Sequence, residues 1–423
     1  MTYRISSVDA HEILDSRGRP TVSVSVGVDD HPPAVAGVPS GASTGTREAV
    51  ELRDGDPARY GGAGVERAVA HVNGEIGAAL TDLVVDDLAQ LDRALIELDG
   101  TATKSRLGAN AIVGVSMAAA RAMAHSENVP LYRFLAPADV TQRLPVPCFN
   151  VINGGQHAVN QLQPQEFMIC PIGVPSFAEA LRAGAEVYGA LRARLQHQRL
   201  AVGLGDEGGF APEIATLEEA LDLIVAAIAD AGYEAGPNGI AIALDPAASE
   251  FRTADGRYEL VAGETPLTSD ELIGRWETIL DRYPIWSLED GLAEDDWDGW
   301  ISLTRQLGAH TQLVGDDNLV TNPTIIAEAI DRYAGNAALI KLNQIGTVTE
   351  TLESMALCRT AGWAQMVSHR SGETTDSFIA DLAVATGCGQ IKSGAPARGE
   401  RVAKYNRLLE IEAGLPDAPY GLT

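Results

Sequence analysis

The chain has 423 residues, 45% of them hydrophobic, and a formal net charge of -27. That length supports two domains with a large buried core. The acidity argues against nucleic acid and anionic membrane as partners, because both polyanions select basic patches. The four cysteines, Cys148, Cys170, Cys358 and Cys388, show no paired zinc or redox spacing, and neither a basic-then-apolar leader nor a bilayer-length apolar stretch is present. A soluble, unprocessed protein of the reducing cytoplasm is expected.

The first 30 residues alternate, with Val22, Val24, Val26 and Val28 spaced by two, the pattern of a strand with one buried face. An antiparallel sheet should open the fold. Small residues then gather in PSGASTG (39–45), and helical patterns follow near 64–81, 87–98 and 107–125. Strands first and helices after is the order of an α+β domain, assigned here to residues 1–138.

Across 139–423 the rhythm becomes apolar strand, loop, amphipathic helix. In one helix Leu217, Ala220, Leu221, Ile224, Val225 and Ile228 share a face, and Thr216 with Glu219 forms a capping-box signature. Ser176/Glu179, Thr268/Glu271 and Thr347/Glu350 repeat that cap. Apolar runs stand at 145–152, 239–244, 284–288, 311–314, 337–341, 363–367 and 388–391. Strands alternating with helices predict a β/α barrel with active-site groups at the C-terminal strand ends. A doubly wound open sheet is the alternative, although no GxGxxG follows an early strand.

The ends of these runs are ionisable: Glu166, Asp245, Glu289, Asp316, Lys341, His369 with Arg370, and Lys392. Taken singly, an acid there reads as the N-cap of the next helix. Taken together, Asp245, Glu289 and Asp316 end three successive strands, and three like charges at one place call for a cation. All-oxygen ligands imply a hard divalent ion, Mg²⁺.

Lys341 ends the run AALIK. The chain has 31 basic residues, yet its lysines are Lys104, Lys341, Lys392 and Lys404 alone. Arginine stays protonated, whereas a lysine shielded from water or set beside other cations can act as a base. Lys341 is therefore read as chemistry, against the alternative of a side chain snorkelling to solvent. In GDEGG (205–209), the glycines allow a tight turn that holds Asp206 and Glu207 out of bulk water with raised pKa values, or the run is simple loop acidity. SHRS (368–371) offers a guanidinium fork, a hydroxyl and an imidazole to a phosphate, or Arg370 is a structural ion-pair partner. His157, in NGGQH, reads equally as a ligand-binding histidine and as one satisfied by loop backbone.

From DSRG (15–18) through PSGASTG, ELRDGD (51–56), LGANAI (107–112), QEFM (165–168), GDEGGFAP (205–212), AASEF (247–251), LED (288–290), VGDD (314–317), NQIG (343–346), SHRSGET (368–374) and GQIKSGAPAR (389–398) to AKYN (403–406), the chain resembles the enolase family. The resemblance implies a small α+β cap domain on a modified, TIM-like β/α barrel. It also implies a Mg²⁺-dependent lyase that reversibly dehydrates 2-phosphoglycerate to phosphoenolpyruvate in glycolysis. By resemblance Lys341 removes the C2 proton, and Glu207, partnered by Glu166, helps the C3 hydroxyl leave. Asp245, Glu289 and Asp316 match the ligands of a first Mg²⁺, and Ser43 a ligand of a second that arrives with substrate. His157, Gln165, His369, Arg370, Ser371 and Lys392 match substrate contacts. A homodimer or higher homo-oligomer is implied.

Departures from the pattern concentrate in QHAVNQLQP (156–164), where bacterial enolases resembling this chain usually carry aspartate at the places of Val159 and Gln163 and an aliphatic residue at Pro164. Arg19, Ala63 and Asn318 replace the usual asparagine, lysine and leucine, and the C-terminus is clipped. These changes admit a paralogue diverted to a related phospho- or phosphono-substrate, as in carboxyphosphonoenolpyruvate synthase. A non-catalytic binding protein would be favoured by loss of Lys341, Glu207 or a metal carboxylate, and each is retained.

Overall fold

The computed structural model describes residues 2–41, 45–158 and 160–422. Ser43 and Val159 lie outside the described residues.

The opening sheet has strand order β3-β2-β1-β4, built from β1 (Tyr3–Leu14), β2 (Pro20–Val28), β3 (Ala34–Gly37) and β4 (Val84–Val85). Its pairings are antiparallel. Val22, Val24, Val26 and Val28 are fully buried. The helix Ala109–Ser126 packs on that sheet. A Cβ on Gly114 would lie 2.5 Å from Val24 Cγ2, so the bare backbone there is what permits the close approach. The helical pattern at 64–81 is broken in space: Glu66–His71 and Gly77–Leu80 flank a wider π turn at Val72–Ile76.

The second half closes into a barrel of eight strands: β5 (Val146–Asn153), β6 (Glu166–Cys170), β7 (Ala241–Asp245), β8 (Ile285–Glu289), β9 (Gln312–Gly315), β10 (Ala337–Ile340), β11 (Ala364–Ser368) and β12 (Gln390–Lys392). A closed barrel excludes the doubly wound alternative. Seven of the strands coincide with the apolar runs to within two residues or so. The eighth, β6, reads EFMIC and runs antiparallel to both β5 and β7. Glu166 therefore begins its strand rather than ending it. The reversal still brings it to the mouth, since its partner in register is Asp245, the last residue of β7. Val146, Cys148, Met168, Val314, Leu339 and Met366 form part of a separate apolar cluster within the barrel strands, against which Tyr420 and Leu422 of the C-terminal tail pack.

All four predicted caps form, with Ser176, Thr216, Thr268 and Thr347 accepting from the backbone N–H three residues on. The reciprocal bond completes a capping box at Thr216 and Thr268. Glu350 instead accepts from the Thr347 hydroxyl at 2.6 Å and from Lys104 Nζ at 2.8 Å.

The first domain seals one side of the barrel mouth. Ser16 N donates to Glu373 O and Ser40 N to Gly372 O, each at 2.7 Å. Ala49 N donates to Gln344 O at 2.8 Å. Arg121 grips Asp376 with two bonds of 2.6 Å.

Candidate active site

The carboxyl ends of β7 to β12 and the start of β6 surround one small polar cavity, lined among others by Glu166, Asp245, Asp316, Lys341, Arg370 and Lys392. Around an eight-stranded ring, β6 and β10 stand four strands apart. Glu166 and Lys341 thus approach the cavity from opposite walls.

Lys392 is 1% exposed. Its ammonium donates to Asp245 Oδ2 at 2.9 Å and Glu289 Oε1 at 2.8 Å, and Glu166 Oε1 lies 3.2 Å away. Burial disfavours the Lys392 charge, but Asp245, Glu166 and Glu289 outweigh it and hold its pKa well above the lysine range. Burial, then the charge of Asp245, pushes the Glu289 carboxyl well up. Glu289 Oε2 is buried with no hydrogen-bond partner.

Lys341, directly after β10, donates to Asp316 Oδ2, whose other oxygen accepts from Gln344 Nε2 at 2.8 Å. The snorkelling alternative is excluded, because the Lys341 side chain points inward and is 14% exposed. The charge argument anticipates a depressed pKa for Lys341, and the shift is instead upward. Burial, Arg370 and Lys392 pull it down, but Asp316 raises it by more.

The trio Asp245, Glu289 and Asp316 stands at neighbouring strand ends, yet Lys392 bridges two of the carboxylates and Lys341 takes the third. Among the described residues, two groups bring their ligand atoms within 4.8 Å of one another: Asp290, Asp316 and Asp317 on this wall, and His157, Glu166 and Glu207 on the other. Asp290, at φ +41, caps the VGDD turn by accepting from Asp316 N at 2.9 Å and Asp317 N at 3.0 Å. Burial and Asp316 push the Asp317 carboxyl up to about 8. Two ammonium groups thus answer only part of a cluster of five carboxylates. With all-oxygen donors and an unpartnered Glu289 oxygen, these residues fit a hard divalent cation.

On the opposite wall, Glu207 comes from the GDEGG loop. A Cβ on Gly205 or Gly209 would lie 2.6 Å from Asn153 Oδ1, so both glycines let the loop press against β5. Asn150 Nδ2 donates to Glu207 Oε2 at 3.1 Å, and His369 Nε2 lies 3.1 Å from the same oxygen. The expected upward shift falls on the neighbour instead. Burial and the Glu207 charge hold the Glu166 carboxyl well above its usual range. Burial also opposes the Glu207 charge, but His369 and His157 reverse that and keep Glu207 well below. The two shifts run in opposite directions, which favours the neutral form at Glu166 and the charged form at Glu207, and Asp206 stands outside the pair. His157 Nδ1 lies 3.8 Å from each and has no hydrogen-bond partner, nor does Gln165 Oε1. The His157 ring is therefore not satisfied by loop backbone at Nδ1.

Arg370 is 4% exposed, and its guanidinium meets Glu48 at 2.9 and 3.2 Å and Asn343 Oδ1 at 3.1 Å. The ion-pair alternative is thus realised while Arg370 still lines the cavity beside Ser371, whose hydroxyl accepts from Arg17 at 3.3 Å. Glu48, Gln344, Asn150 and Arg401 escaped sequence reasoning. Glu48 lies in a segment between the quoted PSGASTG and ELRDGD motifs. Asp290 and Asp317 sit inside the motifs LED and VGDD, where the strand-end pattern points only to the first acid of each pair. In the loop 156–164, Asn160 pins the chain by donating to Asn153 O at 3.0 Å and Pro212 O at 3.2 Å.

No helix of the described residues is long and apolar enough to cross a membrane. Residues 5–135 match the family model "Enolase, N-terminal domain", and residues 141–420 match "Enolase, C-terminal TIM barrel domain". Enolase 1 of Methylococcus capsulatus (strain Bath) is 56% identical over 419 residues, 99% of each chain. Enolase of Acidothermus cellulolyticus is 57% identical over 414 residues, 98% of this chain and 95% of that protein. Since both halves match and the likeness runs from end to end, the chain belongs to the enolase family.

Proposed function

We propose that this chain reversibly dehydrates 2-phosphoglycerate to phosphoenolpyruvate, with Lys341 as the base and the Glu207/Glu166 pair as the acid. The observation that carries this assignment is their disposition on opposite walls of one cavity, whose lining includes the unpartnered buried atoms His157 Nδ1, Gln165 Oε1 and Glu166 Oε2. Neutral Lys341 Nζ takes the C2 proton, and the electron pair left on C2 forms the C2–C3 double bond as the C–O bond at C3 breaks. The departing hydroxide takes the proton shared by Glu207 and Glu166 and leaves as water. A proton beside a carboxylate is too weakly acidic for an amine unless the developing dianion is offset. Lys392 keeps its proton and aims its charge at that place.

Asp245, Glu289 and Asp316 are the residues assigned to a first Mg²⁺, and Ser43, outside the described residues, to a second that arrives with substrate. Divalent ions held there would supply positive charge to the developing dianion, and an Asp316 engaged as their ligand would raise the Lys341 pKa less. Arg370 and Ser371 are assigned to the phosphate, with His157, Gln165 and His369 as further substrate contacts. No observation at the site favours a diverted phosphono-substrate. The domain division at 138/139, a homodimer or larger assembly and a cytoplasmic location belong to the same reading. They are supported by the gap between the two family matches, by the family and by four free, buried cysteines.

The test is a direct assay of purified protein with 2-phosphoglycerate and Mg²⁺, following enol absorbance, beside calorimetry of Mg²⁺ without substrate. Turnover and one substrate-free site that vanishes in Asp316→Ala are expected. Absence of turnover sinks the activity, and unchanged Mg²⁺ affinity in Asp316→Ala sinks the metal assignment.

A further inference from the structure

We propose that Arg401 is a positioning residue that locks His369 as the neutral Nε2–H tautomer and so directs a ring N–H toward Glu207. Arg401 lies on the helix Gly399–Gly414 and is fully buried. One of its terminal nitrogens stands 2.6 Å from His369 Nδ1 and 2.6 Å from Arg370 O. The other donates to Ser371 O at 2.6 Å and Asp206 O at 3.1 Å. A single guanidinium thus ties the SHRS turn after β11 to the GDEGG loop that carries Glu207.

A guanidinium has donors and no acceptor. A ring nitrogen facing it at 2.6 Å must therefore offer its lone pair, which excludes a proton on Nδ1. Neutral His369 must then carry its proton on Nε2, the nitrogen 3.1 Å from Glu207 Oε2. That N–H is not aimed squarely enough at the oxygen to complete a hydrogen bond, so Nε2 remains available to donate. The imidazolium is excluded on the same ground, since it would drive an N–H into the guanidinium. The charged groups facing the ring are Glu207, Arg401 and Glu373, and burial leads Arg401 in lowering its pKa to about 4 against the two carboxylates.

The consequence concerns the proton inventory of the acid wall. His369 stores no mobile proton, so the proton delivered to the leaving hydroxyl stays with the Glu207/Glu166 pair. This inference rests on the proposed role of Glu207 only for its catalytic consequence.

The full-length protein labelled with ¹⁵N-histidine tests it by NMR, the His369 signals being assigned by their loss in His369→Asn. The expected wild-type spectrum has an unprotonated Nδ1 and a protonated Nε2 throughout about pH 6 to 9. In Arg401→Gln, whose amide oxygen can accept from Nδ1–H, the other tautomer should appear. There kcat should fall about a hundredfold with KM little changed, and its acid limb should move toward neutral pH. Arg401→Lys, a pure donor, should retain the tautomer. An Nδ1–H or imidazolium signal in the wild type overturns the proposal, as does an Arg401→Gln protein with unchanged tautomer and pH profile. If Arg401→Gln does not fold, the wild-type spectrum decides alone. Undiminished turnover in Glu207→Gln would instead remove Glu207 as the acid and leave the His369 tautomer untouched.

Discussion

Lys341→Arg keeps a cation beside Asp316 and removes a nitrogen able to surrender its proton. The pair it must preserve is local: Asp316 Oδ2 receives Lys341, while its other oxygen already holds Gln344 Nε2 at 2.8 Å. Stability should change by about 1–3 kcal/mol, the cost of a larger head in a packed site. Loss of a general base should slow proton removal by roughly 10²- to 10⁴-fold, or about 3–5 kcal/mol of barrier. The assay is loss of the substrate C2 hydrogen signal in D₂O, beside turnover by enol absorbance. Lys341→Met supplies the control for charge, since it leaves Asp316 buried without its ammonium and should cost about 3 kcal/mol. Mg²⁺ at a hundredfold its dissociation constant should return about 2.7 kcal/mol of that. Exchange in Lys341→Arg within tenfold of wild type would refute Lys341 as the base, whatever happens to stability.

Lys392→Met strands Glu166, Asp245 and Glu289, which now meet its ammonium at 2.8 to 3.2 Å, and should lower urea stability without metal by about 3–5 kcal/mol; a loss below about 1 kcal/mol would deny the bridge. Arg121→Met breaks the grip on Asp376, whose carboxyl burial pushes up and Arg121 brings below its usual range. That stability is present above the ordinary aspartate value and lost as pH falls through the depressed one, so a deficit of about 3 kcal/mol near pH 7 should fade toward about pH 3. Burial raises Asp92 to about 6, partly opposed by hydrogen bonds from Thr349 and Ser116. Its folded value lies above its unfolded one, so stability is full below about pH 4 and is lost as pH rises through about 6. Asp92→Asn should therefore gain about 3 kcal/mol near pH 8 and little near pH 4; an equal gain in melting temperature at both would contradict the argument.

Much of the fold is legible because its signals are short-ranged. Alternating valines, four Ser/Thr caps and seven apolar runs each report on neighbours within a turn or two, and each appears as the expected element. The direction of β6 is not legible, because EFMIC has the same periodicity run either way, and closure between β5 and β7 decides it. The scarcity of lysine carried less than it promised. Lys104 and Lys404 are as buried as Lys392, and they bind Glu350 and Glu373 with no part in the site.

What the chain determined by itself is the set of ionisable groups at the ends of the parallel strands, Asp245, Glu289, Asp316, Lys341, Arg370 and Lys392, since those ends follow from local pattern; Glu166 reaches the mouth only through the reversal of β6. Which charges meet, and where protons rest, the tertiary structure decided. Lys341 reaches Asp316 across 25 positions of sequence, Lys392 reaches Asp245 across 147, and Arg370 reaches Glu48 across 322. The field at a buried group sums over such partners at low effective dielectric. That is why the Glu207 carboxyl, read from its loop as a raised acid, is pulled below its usual range while Glu166 is pushed above it, and why Asp316, from the neighbouring strand end, raises Lys341.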